Sequence, residues 1–254
     1  MELNYREYGE GSPIVILHGL FGSSDNWVTI GKKLAENYKV YLLDLRNHGA
    51  SPWSDDWNYE VMSDDVYEFF QNKNIEDAIV IGHSMGGKTA MLFATNNYPV
   101  SISKLIIVDI APKYYPRHHD TILNALLSMD LTSLQSRKEA DEALQTEIPD
   151  FGTRQFLLKN LGRNKDNGFE WTVNLDIINQ KIEEVGKALP TDSIFETPTL
   201  FIRGNKSDYI KDEDLVLIRQ HFPVSVLKTI EGAGHWVHAE KPVEFLEIVN
   251  EFIG

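Results

Sequence analysis

The sequence of 254 residues contains no cysteine. This absence excludes a disulfide framework, a thiol nucleophile and a thiolate metal site. No apolar run approaches the roughly 20 residues that a membrane-spanning helix requires. The first residues show no basic region followed by an apolar core, so no secretory signal is expected. These absences favour the cytoplasm as the location.

Positive charge is scarce, since 24 Lys and Arg residues stand against 38 Asp and Glu residues and the formal net charge is −14. Binding of nucleic acid or of an anionic membrane requires a basic surface, and no cluster of Lys and Arg provides one. We interpret the acidity as a contribution to solubility. The length suits one large domain or two small ones, and we expect a monomer or a weak homodimer.

Short apolar runs alternate with amphipathic stretches, a pattern typical of an α/β fold with a mostly parallel sheet flanked by helices. The predicted strands cover residues 3–8, 14–17, 40–44, 78–81, 105–108, 199–202 and 226–230. All but the first are nearly continuous in Val, Ile and Leu, as expected for strands buried on both faces. The first alternates between polar and apolar residues and is expected at an antiparallel edge. The predicted helices cover residues 24–37, 59–73, 86–97, 212–221 and 242–253.

One interval, residues 112–192, contains no convincing buried strand. Its pieces at residues 114–129, 136–147, 153–161 and 175–189 are each predicted to be helical. An insertion of this size between two strands is most simply a helical cap over the carboxyl edge of the sheet. Residues 1–111 and 193–254 then form the core domain. A separate domain is the alternative, but each piece has too little apolar surface for a core of its own.

A nucleophile elbow is predicted directly after the strand at residues 78–81, at Gly82-His83-Ser84-Met85-Gly86. In a G-x-S-x-G motif between a strand and a helix, the serine occupies a strained turn with its hydroxyl exposed above the sheet. The two glycines are needed because neighbouring backbone passes too close for a Cβ atom. We expect the His83 side chain to point away from the site, since neighbours on a tight turn diverge.

A serine hydroxyl needs a base, an acid that orients the base, and donors for the oxyanion. His235 is the predicted base, because it follows the last strand in a Gly-rich loop and an imidazole titrates near neutrality. The predicted donors are backbone N–H groups, that of Met85 after the nucleophile and one from the loop after the strand at 14–17. Leu20 is the expected residue in that loop, and spacing leaves Phe21 open as the alternative.

The acid is ambiguous between two aspartates. Asp109 ends the strand at residues 105–108, and Asp208 lies in the loop after the strand at residues 199–202. Both positions lie at the carboxyl edge of the sheet, where catalytic groups collect in open α/β folds. Both also keep the chain order Ser, Asp, His, so the residues alone do not decide between them.

Together these motifs resemble the α/β-hydrolase superfamily over the whole chain. The similarity is closest to the small bacterial esterases of the YbfF type and their mitochondrial relatives. The segments that carry it are Asp44-Leu45-Arg46-Asn47-His48-Gly49-Ala50-Ser51, the elbow with Gly87-Lys88-Thr89-Ala90-Met91, Val108-Asp109-Ile110-Ala111-Pro112, and Gly232-Ala233-Gly234-His235-Trp236-Val237-His238-Ala239-Glu240-Lys241-Pro242. The elbow occurs throughout the superfamily, whereas the elbow combined with residues 236–242 is much more specific.

The resemblance implies a serine hydrolase that acts on a small-molecule carboxylic ester or acyl-CoA thioester, with no metal or organic cofactor. It also favours Asp109 as the acid. The usual superfamily acid stands three residues after the glycine that ends the penultimate core strand, and Ser207 occupies that position here. A metal ion shared by the adjacent His118 and His119 is not expected, since neighbouring side chains diverge on a helix or strand.

Two rival hypotheses remain open. A perhydrolase, a lyase or a C–C bond hydrolase would use a similar site for a different reaction, whereas a ligand-binding protein would retain the scaffold without catalysis. If the main hypothesis holds, apolar residues of the segment 112–192 could line an acyl channel, and for any single one of them the favoured alternative is that it only packs against the sheet. The candidates are Tyr114, Leu123, Leu126, Leu127, Phe156 and Trp171.

Overall fold

The computed structural model describes residues 1–96, 98 and 100–254. In chain order its strands are β1 (Tyr5–Tyr8), β2 (Pro13–Leu17), β3 (Lys39–Leu43), β4 (Ala78–His83), β5 (Ile102–Val108), β6 (Leu161–Arg163), β7 (Phe169–Trp171), β8 (Thr199–Gly204) and β9 (Ser225–Ile230). Seven of them form one sheet in the order β1-β3-β2-β4-β5-β8-β9. All seven predicted core strands are therefore present, with ends that differ by up to three residues.

The sheet is parallel except at the β1 edge, where Tyr5 lies antiparallel opposite Leu43 on β3. Along β2, Val15 and Leu17 join the apolar cluster on one face, and Ile14 and Ile16 join the cluster on the other face. Successive side chains of a strand point to opposite faces, so an unbroken apolar run fills two cores at once. The expectation of burial was wrong for β9, which forms the second edge and has five of its six residues partly or fully exposed.

Helices cover both faces of the sheet. They are α1 (Val28–Leu34), α2 (Tyr59–Lys73), α3 (Met85–Thr95), α4 (Asp120–Leu127), α5 (Arg137–Leu144), α6 (Phe151–Leu158), α7 (Leu175–Gln180), α8 (Glu183–Gly186), α9 (Leu215–His221), α10 (Val237–Glu240) and α11 (Pro242–Ile253). Short 3₁₀ helices precede α1 and α9, at Ser24–Trp27 and Asp212–Asp214. The helix predicted at residues 86–97 corresponds to α3, but Asn97 lies outside the described residues. Within the described residues, no helix has the length and apolar character needed to cross a membrane.

The segment 112–192 is less helical than predicted. Helices α4 to α8 are short, and between α6 and α7 the strands β6 and β7 form an antiparallel hairpin. Only one residue of each strand is buried, so the segment contains no buried strand, as expected, but it is not entirely helical. With only three residues in each strand, the hairpin is too short to show a periodic pattern. Its turn contains Asn167-Gly168, with Asn167 at a φ of 64°, which is a typical hairpin signal.

Lys88 on α3 connects this segment to the core. Its side chain is almost fully buried, and its Nζ donates to the carbonyl of Lys113 at 2.6 Å and to that of Lys187 at 2.5 Å. These carbonyls belong to the two ends of the segment 112–192. One side-chain nitrogen therefore contacts both chain connections beside the helix that follows Ser84.

Candidate active site

Ser84 lies on the sharp turn between β4 and α3. Its backbone has a φ of 52° and a ψ of −117°, a conformation that is unfavourable for a residue with a Cβ. The turn is held in place because the Ser84 N–H donates to the Val108 carbonyl at 3.0 Å. A Cβ on Gly82 would collide with the Gly86 carbonyl, and a Cβ on Gly86 would collide with the His18 carbonyl. The turn therefore has no space for a side chain at either glycine.

His235 lies in the loop between β9 and α10 and approaches Ser84 from 151 residues away in the chain. The Ser84 hydroxyl donates to His235 Nε2 at 3.0 Å. His83 fixes the backbone here, since its Nε2–H donates to the His235 carbonyl at 2.9 Å. The expectation that His83 points away from the site was wrong, and its ring centroid lies 4.7 Å from that of His235. The reason is that the loop carrying His235 passes directly beside the elbow.

Asp109 is the aspartate that contacts His235. The His235 Nδ1–H donates to Asp109 Oδ2 at 2.8 Å, and Asp109 is fully buried. Two further groups donate hydrogen bonds to this carboxylate. The Ser207 hydroxyl donates to Oδ2, and the Gly204 N–H donates to Oδ1 at 3.3 Å. Asp208 is exposed and forms no hydrogen bond or ion pair with the residues that the structure describes. Ser207 was not among the residues predicted to contact the acid.

Burial controls the protonation of this pair. It raises the pKa of the Asp109 carboxyl to about 7, although the hydrogen bond from Ser207 acts in the opposite direction. Burial also lowers the pKa of His235 to about 3. Because Asp109 and His235 share a hydrogen bond, they take up their first proton as a pair. Above a pH of about 7 the Asp109 carboxylate is ionised and the His235 imidazole is neutral.

The loop after β2 lies directly against Ser84. A Cβ placed on Gly19 would lie 3.2 Å from the Cβ of Ser84. The Gly22 N–H donates to the Gly19 carbonyl at 2.9 Å and closes a tight turn. His18 Nε2 accepts from the Leu45 N–H at 3.0 Å, so its Nδ1–H is free to donate to the same Gly19 carbonyl at 2.8 Å. These bonds fix the turn beside the serine hydroxyl.

Three backbone N–H groups near this turn are candidate oxyanion donors. That of Phe21 is occupied, because it donates to His48 Nε2 at 3.3 Å. Those of Leu20 and Met85 donate to no other residue in the described part of the chain. Met85 is also the first residue of α3, where N–H groups lack an intrahelical acceptor and the helix dipole favours negative charge. The hydrogen bonds thus favour Leu20 over Phe21 as the donor from the loop.

Tyr209 covers one face of His235, a contact that the sequence did not indicate. The two rings are 4.0 Å apart between centroids and nearly parallel, at 17°. The Tyr209 hydroxyl donates to His118 Nε2 at 2.7 Å, and the His118 Nδ1–H donates to the Pro116 carbonyl at 2.8 Å. The expectation that His118 and His119 diverge was wrong, since their rings lie 4.0 Å apart in an irregular segment. Among the described residues, no three or more potential ligands are grouped to hold a metal ion.

A cavity of about 250 Å³ opens onto Ser84. Its lining residues are Leu20, Phe21, His83, Ser84, His118, His119, Ile122, Thr153, Phe156, Leu157, Tyr209, His235 and Trp236. Of the six candidates for an acyl channel, Phe156 alone belongs to this lining. The other five do not line it, since Leu126, Leu127 and Trp171 line a separate surface groove, Leu123 is buried in the core and Tyr114 is exposed.

Comparison with known proteins identifies the family. Residues 12–242 match the model of a family described as alpha/beta hydrolase fold. The chain belongs to this family. Among other α/β-hydrolases, the sn-1-specific diacylglycerol lipase ABHD11 of Xenopus laevis is 37% identical over 252 residues, which cover 96% of this chain and 80% of the relative. Esterase YbfF of Escherichia coli strain K12 is 35% identical over 261 residues, which cover 100% of this chain and 99% of the relative.

A solved structure agrees with the assignment of this chain to the α/β-hydrolase family. A marine microorganism esterase superposes with a TM-score of 0.96 at 43% identity, and the match covers 99% of both chains. The resemblance to the YbfF group and the fold class predicted from the sequence are therefore confirmed. The names of these relatives support a hydrolytic enzyme of the esterase and lipase type.

Proposed function

We propose that the protein is a carboxylesterase that works through Ser84, His235 and Asp109 and an acyl-enzyme intermediate. The observation that carries the proposal is the pair of hydrogen bonds on the two sides of His235, at 3.0 Å to Ser84 and 2.8 Å to Asp109. A hydroxyl, an imidazole and a carboxylate in this order activate a nucleophile that is weak on its own. The relatives named esterase and lipase support the same activity.

In the first half of the reaction, the Ser84 oxygen attacks the ester carbonyl carbon while its proton passes to His235 Nε2. Asp109 keeps the Nδ1–H tautomer and stabilises the imidazolium that forms. His235 then donates the proton to the alcohol oxygen, the C–O bond breaks, and the acyl group stays on Ser84. In the second half, His235 takes a proton from water while the water oxygen attacks the acyl carbon. His235 then returns that proton to the Ser84 oxygen, the bond between this oxygen and the acyl carbon breaks, and the carboxylic acid is released.

Each half of the reaction places negative charge on the former carbonyl oxygen. We assign the N–H groups of Leu20 and Met85 to bind this oxyanion. Both donors are positioned before the reaction begins, one by a closed turn and the other by a helix N-terminus. Loss of a single donor of this kind costs about 10²–10³ in kcat in a serine protease.

The proposed substrate is an ester with an apolar acyl group. The cavity of about 250 Å³ at Ser84 is lined mainly by apolar and aromatic side chains, which suit an alkyl chain. We assign the segment 112–192 as a cap, because its residues Phe156 and Leu157 form part of that lining. Acyl-CoA thioesters are the second substrate class, since the same acyl-enzyme chemistry applies to a thioester carbonyl.

A series of p-nitrophenyl esters and CoA thioesters of increasing acyl length tests this proposal. We expect turnover by the wild-type protein and none above background for Ser84→Ala. A ligand-binding protein would bind the esters without releasing p-nitrophenol, and a C–C bond hydrolase or lyase would release it poorly at every chain length. A perhydrolase would produce peracid when hydrogen peroxide is added. Substantial turnover by Ser84→Ala would reject the mechanism.

A further inference from the structure

The Phe21 carbonyl, in the loop after β2, accepts a hydrogen bond from the segment 112–192. The donor is the side-chain amide of Asn160, at 2.6 Å from Nδ2. Asn160 is 3% exposed and lies between α6 and β6. Its Nδ2 also donates to the Leu157 carbonyl at 3.1 Å. These two carbonyl acceptors establish the orientation of the amide, because only its nitrogen can donate.

Phe21 needs this support because its backbone is strained. Its φ is 57°, and it is the third residue of the turn that the bond from the Gly22 N–H to the Gly19 carbonyl closes. Turns with a positive φ at this position favour Gly or Asn, and a bulky residue is disfavoured there. Phe21 is held from both sides, its N–H by His48 and its carbonyl by Asn160.

The conformation of Phe21 determines the direction of the Leu20 N–H. A peptide unit is planar and trans, so this N–H points opposite to the Gly19 carbonyl. Two bonds direct the Gly19 carbonyl, one from the Gly22 N–H of the closed turn and one from His18 Nδ1–H. If Phe21 rotated to a negative φ, the turn would open, the first bond would be lost, and the Leu20 N–H would be held less firmly.

We propose that Asn160 is a positioning residue for the oxyanion hole. It touches no reacting atom and acts through the Phe21 carbonyl, which keeps the turn closed and the Leu20 N–H aimed at the oxyanion. The inference rests on the proposed function, in which Leu20 supplies that donor. Through Asn160, the segment 112–192 then contributes to stabilisation of the oxyanion in addition to enclosing the substrate.

Asn174 provides a matched control. It is a second buried asparagine of the same segment, 7% exposed, and its Nδ2 also donates to the core, at 3.1 Å to Asn47 Oδ1. Asn47 lies outside the oxyanion loop. Asn160→Ala should lower kcat for a p-nitrophenyl ester by about 10- to 100-fold, less than complete loss of a donor, with KM changed by less than about twofold. Asn174→Ala should leave both constants near the wild-type values.

A trifluoromethyl ketone gives a second readout that a loss of stability alone would not change. Ser84 adds to its carbonyl carbon, the serine proton passes to His235, and the adduct carries an oxyanion. The inhibition constant should rise in Asn160→Ala by about the factor by which kcat/KM falls, and Asn174→Ala should not change it. Asn160→Leu has a similar branched shape without a donor, so it should behave like Asn160→Ala while leaving no cavity.

Three results would overturn the proposal. The first is a wild-type kcat and inhibition constant in a folded Asn160 variant. The second is an equal loss of activity in Asn160→Ala and Asn174→Ala at matched Tm. The third is failure of both Asn160 variants to fold, which would make this residue purely structural. Failure of the proposed function is distinguishable, because the wild-type protein itself would then neither hydrolyse the ester nor form the adduct.

Discussion

Asp109 contacts His235 through a hydrogen bond of 2.8 Å, in which Nδ1–H donates to Oδ2. Asp109→Asn should lower kcat by about 10⁴-fold, because asparagine keeps the shape but loses the charge and permits the wrong tautomer of the imidazole. Asp208→Asn is the matched control and should leave kcat nearly unchanged, since Asp208 is exposed. Steady-state kinetics with a p-nitrophenyl ester measure both. The opposite ranking would make Asp208 the acid.

The pH dependence of kcat/KM should follow the Asp109–His235 pair. The active form of the enzyme has an ionised Asp109 and a neutral His235. Addition of a single proton to this pair converts the enzyme to an inactive form. Since burial raises the pKa of Asp109 to about 7, the rate should be full above that pH and fall as the pH decreases through it. A profile measured from pH 5 to 9 at low substrate concentration checks this. A rate that stays constant between pH 5 and 8, with chemistry limiting, would contradict it.

Ser207→Ala should move the same profile in a predictable direction. The Ser207 hydroxyl donates to the Asp109 carboxylate and lowers the pKa of Asp109. Without this bond the pKa should rise, so the acidic limb of kcat/KM should move to higher pH while the rate on the alkaline plateau falls only modestly. Parallel profiles of wild type and variant give the difference. A shift to lower pH would show that Ser207 does not stabilise the ionised carboxylate.

Phe156 should control the acyl length that the site accepts. Its ring lies 5.1 Å from that of Trp236, and both side chains line the cavity at Ser84 as well as a neighbouring cavity of about 280 Å³. Phe156→Ala should join the two spaces and raise the ratio of kcat/KM for long over short esters by at least about tenfold. Trp171→Ala is the control, because this aromatic residue of the same segment lines a different groove. If Phe156→Ala changed kcat/KM by the same factor for esters of every chain length, the prediction would be contradicted.

The sheet and two members of the site were predictable because they follow local patterns. Continuous Val, Ile and Leu runs indicate buried parallel strands, and the elbow around Ser84 and the Gly-rich loop of His235 lie at strand ends. The acid was harder to predict from the sequence, because Asp109 and Asp208 both follow strands. At a strand end, a shift of one residue changes the direction of the side chain. The resemblance to a family was needed to favour Asp109.

Other features depend on tertiary contacts that no local pattern encodes. The stacking of Tyr209 on His235 and the bond from Asn160 to the Phe21 carbonyl join distant parts of the chain. The spacing of Ser207, three residues after Gly204, favoured Asp109 as the acid but did not show that the Ser207 hydroxyl contacts its carboxylate. The Asn-Gly pair at 167–168 is a typical hairpin signal, although no hairpin was predicted there.

Labelling with a fluorophosphonate probe, followed by mass spectrometry of the intact protein and of its peptides, directly tests whether Ser84 is the nucleophile. We expect one phosphonyl group per chain, located on Ser84, with loss of esterase activity in proportion to labelling. Ser84→Ala should take up no probe, and His235→Ala should react far more slowly and lose about as much turnover as Ser84→Ala, on the order of 10⁶ in kcat. Labelling of another residue, or ester hydrolysis that persists when Ser84 is fully modified, would contradict the assignment of Ser84 as the nucleophile.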